Sequence, residues 1–156
     1  MMKLATIIAQ KLTAGKLTIT TAESCTGGLL AGAITDVPGA SAFFKTGFIA
    51  YANEAKTDIL GVPADLLKKH GAVSGPAATS MALGAKRKAG TDMAISLTGI
   101  AGPSGGTKSK PVGLVFIALA YGHTVSVRKR LFKGTRKQIR QQAVRNALAI
   151  ILEALS

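Results

Sequence analysis

Segments of helical and strand periodicity alternate along this chain, and that order restricts the fold more than any other feature of the sequence. Residues 2–14 place Leu4, Ile7, Ile8 and Leu12 on one helical face, and Gly15 is expected to end that helix. Leu17–Thr21 reads as a β-branched strand, 26–35 as a helix stopping before Pro38, and 44–51 as a second strand. Short helices are expected near 53–60 and 63–70, with Pro63 at a helix start. A longer one runs from Gly75 to Ala89, capped by Ser74 and closed by Gly90. Met93–Leu97 is an apolar strand and 99–110 a glycine-rich loop, while 112–120 and 124–132 are two strands joined as a hairpin. Thr135 opens a last helix to about residue 154, with Ile139, Ala143, Ala147, Ile150 and Ile151 on its apolar face. No repeat or linker interrupts the series, so residues 1–156 are expected to form a single domain. The pattern predicts an α/β fold, a mixed sheet with helices on both faces.

Composition narrows the function classes. The one cysteine, Cys25, excludes a disulfide framework, and with only His70 and His123 beside it a metal site is not expected. No stretch approaches the roughly 20 apolar residues of a membrane span, and the N-terminus lacks a signal-peptide pattern, so the expected location is cytoplasmic, without a membrane partner. The net charge of +13 is unevenly spread: from Ser104 onward ten Lys and Arg face only Glu153. A solvated basic face, an anionic small substrate and a polynucleotide all fit that excess. No RNP, helix-turn-helix, KH or zinc-finger pattern is present and no aromatics interleave with the basic residues, which argues against nucleic acid.

Two segments carry candidate chemistry. Thr20–Gly28 lies where a strand hands over to a helix, the place where open α/β sheets bind ligands. There Ser24 is a candidate nucleophile near the amides of a helix N-terminus, and Gly27 and Gly28 permit close approach. Equally, Ser24 and Thr26 are ordinary helix caps. Neither histidine is well placed as a base, whereas Lys56 follows a strand end and serves if burial lowers its pKa. The second segment, Ser96–Gly113, holds four glycines and a proline within residues 99–106, a shaped loop whose amides suit anions, or else a plain surface loop. Ser96 and Thr98 are candidate hydroxyl donors, and Lys108 and Lys110 candidate charges.

The string Thr21-Ala-Glu-Ser-Cys-Thr-Gly-Gly28 resembles the hallmark of the C-terminal domain of the CinA (competence/damage-inducible) family, which includes stand-alone nicotinamide-nucleotide amidohydrolases. The resemblance continues through Gly47–Tyr51, Asn53–Lys56, Leu60–Val62, His70–Ser74, Thr98–Pro103 and Lys110–Gly113. It implies a three-layer α/β/α sandwich with a mixed, mostly parallel central sheet. It further implies conversion of nicotinamide mononucleotide and water to nicotinic acid mononucleotide and ammonia, a step in pyridine nucleotide salvage, with no metal or cofactor. In that reading Ser24 is the nucleophile and Lys56 the base, with Tyr51 and Thr98 as supporting residues. Thr26, Gly27, Gly28, Gly99, Ala101 and Gly102 supply substrate or oxyanion contacts, and Cys25 is a packed neighbour. Gly134–Arg140 resembles a family stretch in which Arg136 and Arg140 are candidate anion contacts. Thr135 and Gly75 stand where family members commonly carry acidic residues, and the chain has no space for the N-terminal domain of longer members.

The alternative is a non-catalytic nucleotide-binding or regulatory module that keeps the pocket without turnover. A small α/β domain ending in an apolar helix is also a candidate for homo-oligomer formation.

Overall fold

A computed structural model describes residues 1–156. Five strands, β1 (Ile19–Glu23), β2 (Phe44–Ile49), β3 (Met93–Gly99), β4 (Leu114–Tyr121) and β5 (Thr124–Leu131), form one sheet in the order β2-β1-β3-β4-β5. β1 pairs in parallel with both β2 and β3, whereas β4 is antiparallel to β3 and β5. Four strands therefore run one way and β4 alone runs against them. The sheet is mixed and mostly parallel, as the resemblance implied.

Six helices cover it: α1 (Met2–Ala14), α2 (Leu29–Thr35), α3 (Asn53–Leu60), α4 (Ala64–His70), α5 (Gly75–Ala89) and α6 (Arg136–Ala154). Helices α1, α2 and α6 bury Ile8, Leu12, Leu30, Ile139, Val144 and Leu148 against one face. The other face takes α5 through an alanine-rich stripe, with α3 and α4 outside it. All five apolar residues on the α6 face are buried within the chain, so the stripe that suggested association is covered internally. No helix is long and apolar enough to cross a membrane.

The boundaries differ from expectation at informative places. β1 begins two residues late and ends at Glu23, and every one of its residues is buried, as suits a strand flanked on both sides and covered on both faces. Helix α1 does end at Gly15, but the left-handed residue is Lys16 (φ 52°), Gly15 itself being right-handed. Helix α2 starts at Leu29 rather than Thr26, because Gly27 (φ 58°) and Gly28 (φ 93°) hold the chain in a left-handed turn that a right-handed helix cannot include. Ser74 caps α5 by accepting from the Ala77 N–H at 3.2 Å. Thr135, expected to open the last helix, caps α6 in a capping box with Gln138.

Helix α5 approaches α3 at Gly84, where a Cβ would sit inside contact distance of the Leu60 carbonyl oxygen. Because that obstacle is backbone, Gly84→Ala is expected to lower stability by about 3 kcal/mol, or Tm by roughly 10 °C, despite alanine's better helix propensity. Thermal unfolding followed by circular dichroism checks the sign; a stabilised variant would show that α3 can move aside.

Candidate active site

The site forms where the sheet's connections diverge. From the end of β1 the chain crosses through α2 to β2 on one side, and β3 lies on the other, leaving a crevice at the carboxyl ends of the strands. Backbone bonds fasten the three ends together: Ser24 N–H donates to the Leu97 carbonyl at 3.0 Å, and Ala50 N–H to the Glu23 carbonyl at 2.9 Å. The residue after β1, Ser24, thus comes beside the loop after β2, which holds Tyr51, and the end of β3, which holds Thr98.

A cleft of about 270 Å³ opens there. Of the expected site residues it is lined by Ser24, Lys56, Tyr51, Thr98, Gly99, Ala101, Gly102 and Arg136, together with Cys25, expected as a packed neighbour, and Asn53, for which no role was expected. Thr26, Gly27, Gly28 and Arg140 lie outside it. Gly28 and Arg140 line instead a larger, mainly apolar groove of about 680 Å³ between α2 and α6 that Arg136 also borders. Ser96, His70, His123, Lys108 and Lys110 do not line the cleft either. The Ser96 hydroxyl is spent on the Ala78 carbonyl, and Lys110 straps the glycine-rich loop to the His70 carbonyl at 2.7 Å.

Ser24 is 8% exposed, and its hydroxyl donates to no group of the chain. Lys56 is the largest fully buried side chain, 1% exposed, and its Nζ donates to the Tyr51 carbonyl at 2.9 Å and more distantly to the Ala52 carbonyl at 3.5 Å. Burial pulls its amine below the ordinary lysine value, opposed by attraction to a Cys25 thiolate and to Glu54. Burial also pushes the Cys25 thiol up to about 11, so at neutral pH no thiolate is present to support a charged Lys56. A neutral amine has two N–H donors for the two carbonyls and keeps a lone pair to accept a proton. Thr98 donates to the Ala72 carbonyl at 2.8 Å. Tyr51 serves twice: its carbonyl holds Lys56, and its hydroxyl accepts from Arg136 Nη2 at 3.0 Å while Arg136 Nη1 donates to the Gly102 carbonyl.

Glu23 was quoted in the motif but given no role. It is fully buried, and its carboxylate accepts from the N–H groups of Gly28 (3.1 Å), Leu30 (3.0 Å) and Ala31 (2.8 Å). The start of α2 is therefore already occupied by an internal anion, which corrects the expectation that its amides face a ligand. The signal for this was a lone acid closing a β-branched strand four residues ahead of Gly27-Gly28. Among the amides left without a partner in the chain are those of Cys25 and Thr26 in the turn and of Ala101, Gly102, Ser104 and Gly105 in the loop. The buried Thr26 hydroxyl also lacks one.

Known proteins share this chain's sequence pattern and fold. The CinA C-terminal domain model matches residues 1–155. The nicotinamide-nucleotide amidohydrolase PncC of Escherichia coli K12 is 47% identical over 149 residues, spanning 95% of this chain and 90% of that protein. A CinA-like protein of Geotalea daltonii is 51% identical over 135 residues, 86% of this chain but 33% of that protein. The chain thus spans about a third of the length of the CinA-like and competence-damage inducible relatives it matches. Among solved structures, the CinA superfamily protein of Klebsiella pneumoniae 700603 superposes with a TM-score of 0.96 at 38% identity, covering 99% of this chain and 96% of that one. The competence/damage inducible protein CihA of Agrobacterium tumefaciens gives 0.95 at 44% identity, covering 99% and 94%.

The depressed Lys56 value has a measurable consequence. Below 10.5 the unfolded chain binds a proton at Lys56 more readily than the folded one, so this residue costs stability progressively as pH falls toward its folded value. The Tm of Lys56→Met relative to wild type is therefore expected to be higher at pH 7 than at pH 10. A difference independent of pH would mean that Lys56 titrates as an ordinary lysine.

Proposed function

Since the chain belongs to the CinA C-terminal domain family, we propose that it is a nicotinamide-nucleotide amidohydrolase, converting nicotinamide mononucleotide and water to nicotinic acid mononucleotide and ammonia. The amidohydrolase from Escherichia coli, matched over nearly its whole length, supports the substrate. The observation that carries the mechanism is the inventory of the cleft. Its walls hold two serine hydroxyls that bond to no group of the chain, the nearly buried Ser24 and the exposed Ser104, one buried amine, Lys56, and no histidine, aspartate or glutamate. Any base for Ser24 in that cleft is therefore Lys56 or the Tyr51 phenol, and of the two only the lysine is buried, Tyr51 being 60% exposed.

In this reading neutral Lys56 takes the Ser24 hydroxyl proton as Oγ attacks the carboxamide carbon. Charge gathers on the carboxamide oxygen, where unpartnered amides of the Cys25–Thr26 turn or the Ala101–Gly102 loop receive it. The Lys56 ammonium returns its proton to the departing nitrogen, ammonia leaves, and an acyl ester remains on Ser24. Lys56 then deprotonates a water that attacks the ester, and Ser24 regains its proton as the acid is released. Cys25, the stronger nucleophile in principle, stays a buried thiol. Thr98 and Tyr51 shape the cleft, and Arg136, exposed at its rim with donors to spare, is the candidate contact for the nucleotide phosphate.

Ammonia release from nicotinamide mononucleotide, measured after chelator treatment, tests the proposal. Wild type is expected to turn over, Ser24→Ala and Lys56→Ala to lose at least about 10³-fold, and Cys25→Ala to stay within about tenfold of wild type. Wild-type rates should rise with pH along a limb lying below 10.5, as Lys56 loses its proton. Folded wild type that binds the nucleotide but releases no ammonia would establish the regulatory-module reading instead.

A further inference from the structure

Arg140 reaches from α6 to the turn that carries Ser24 without lining the cleft. Its Nε donates to the Cys25 carbonyl at 3.1 Å and its Nη2 to the Thr26 carbonyl at 2.8 Å. The Cys25–Thr26 peptide is trans, so a carbonyl held toward Arg140 obliges the Thr26 N–H to point the opposite way. The preceding peptide is fixed separately. The Ser24 carbonyl accepts from the Gly27 N–H at 3.1 Å, which sets the direction of the Cys25 N–H. Of the amides in this turn, those of Gly27 and Gly28 are taken, and those of Cys25 and Thr26 donate to nothing in the chain. A cation on a peptide carbonyl also draws electron density from the attached N–H and strengthens it as a donor. Gly27 belongs to the same device: besides its positive φ, a Cβ there would come within 3.3 Å of Arg140 Nη2.

We infer that Arg140 is a positioning residue: by gripping two carbonyls it orients and polarises the Thr26 N–H, so that this amide and that of Cys25 receive the oxyanion formed when Ser24 attacks. The inference rests on the Ser24 hydrolase reading and replaces the anion-contact role expected from sequence. A phosphate contact would aim the guanidinium at a ligand in the cleft. Arg140 faces the α2–α6 groove, with two of its nitrogens already committed to backbone.

The test compares Arg140→Ala and Arg140→Lys with wild type on nicotinamide mononucleotide, on its phosphate-free nucleoside, and in the rate at which a fluorophosphonate labels Ser24, read by intact mass. Arg140→Ala is expected to lower kcat about 30- to 100-fold with KM within about threefold of wild type. The nucleoside should lose kcat/KM by the same factor as the nucleotide, and methylguanidinium should restore part of the rate. Arg140→Lys, which keeps the charge but loses the planar two-pronged grip, should fall between. Labelling should slow in parallel, because the probe's phosphoryl oxygen takes the oxyanion's place. A loss confined to the phosphorylated substrate and to KM, or undiminished labelling of a folded variant, overturns the inference. If Arg140→Ala does not fold, Arg140→Lys carries the comparison. Should wild type take the label at Ser24 yet release no ammonia, the substrate assignment fails while the labelling rates still decide the role of Arg140. If wild-type Ser24 takes no label, both fall.

Discussion

The buried Glu23 carboxylate holds the site together. A charge this deep is tolerable only if fully hydrogen-bonded, and three amides at the start of α2 supply the bonds. The helix, for its part, gains an anion at its positive end. Because Glu23 is the last residue of β1, the same bonds tie the sheet to the helix across a turn of only five residues, Ser24 to Gly28. That turn has little freedom left: Glu23 holds its far end, Arg140 its middle, and the Leu97 carbonyl its beginning. Its path through two left-handed glycines follows from those anchors, and Ser24 is presented to the cleft as a result.

The electrostatics of the cleft follow from what is absent around the amine as much as from burial. No carboxylate lines the cleft, the one carboxylate whose attraction bears on the amine is Glu54, and the thiol beside Lys56 keeps its proton. The chain as a whole carries +13, so its general field also disfavours one more buried cation. A basic protein is in this respect a favourable host for a lysine proposed to act as a neutral base. The same field would attract an anionic substrate of the kind proposed, and Arg136 lines the cleft.

Most elements were legible because their signals are local. Ser74, Pro63 and Gly90 mark helix ends by their own backbone and side-chain chemistry, and α5 follows its sequence pattern residue for residue. Where a boundary depended on a distant partner it shifted. β1 slides two residues because Thr18 is clamped to the Asp92 carboxylate, 74 residues away, and β4 starts late because Gly113 turns under the Phe132 carbonyl. The site was legible only in part for the same reason. No local spacing joins Ser24 to Lys56; the parallel pairing of β1 with β2, continued by the Ala50–Glu23 bond, brings their loops together. Glu23 and Arg140 stand at opposite ends of that difficulty. The first bonds amides five to eight residues away and is signalled only by an acid at a strand end ahead of Gly-Gly, and the second reaches back across 115 with no signature beyond the residue type itself.

Placing the sole cysteine directly after the proposed nucleophile has a consequence for the conditions under which such a site keeps working. Peroxides and electrophiles attack thiolates, and a thiol held at about 11 and 6% exposed offers almost none. A hydroxyl nucleophile with an amine base contains nothing that mild oxidants convert. Chemistry built on Ser24 and Lys56 would continue through an oxidative burst that silences thiol-dependent hydrolases, with Cys25 packed beside it as a spectator to the redox state of its surroundings.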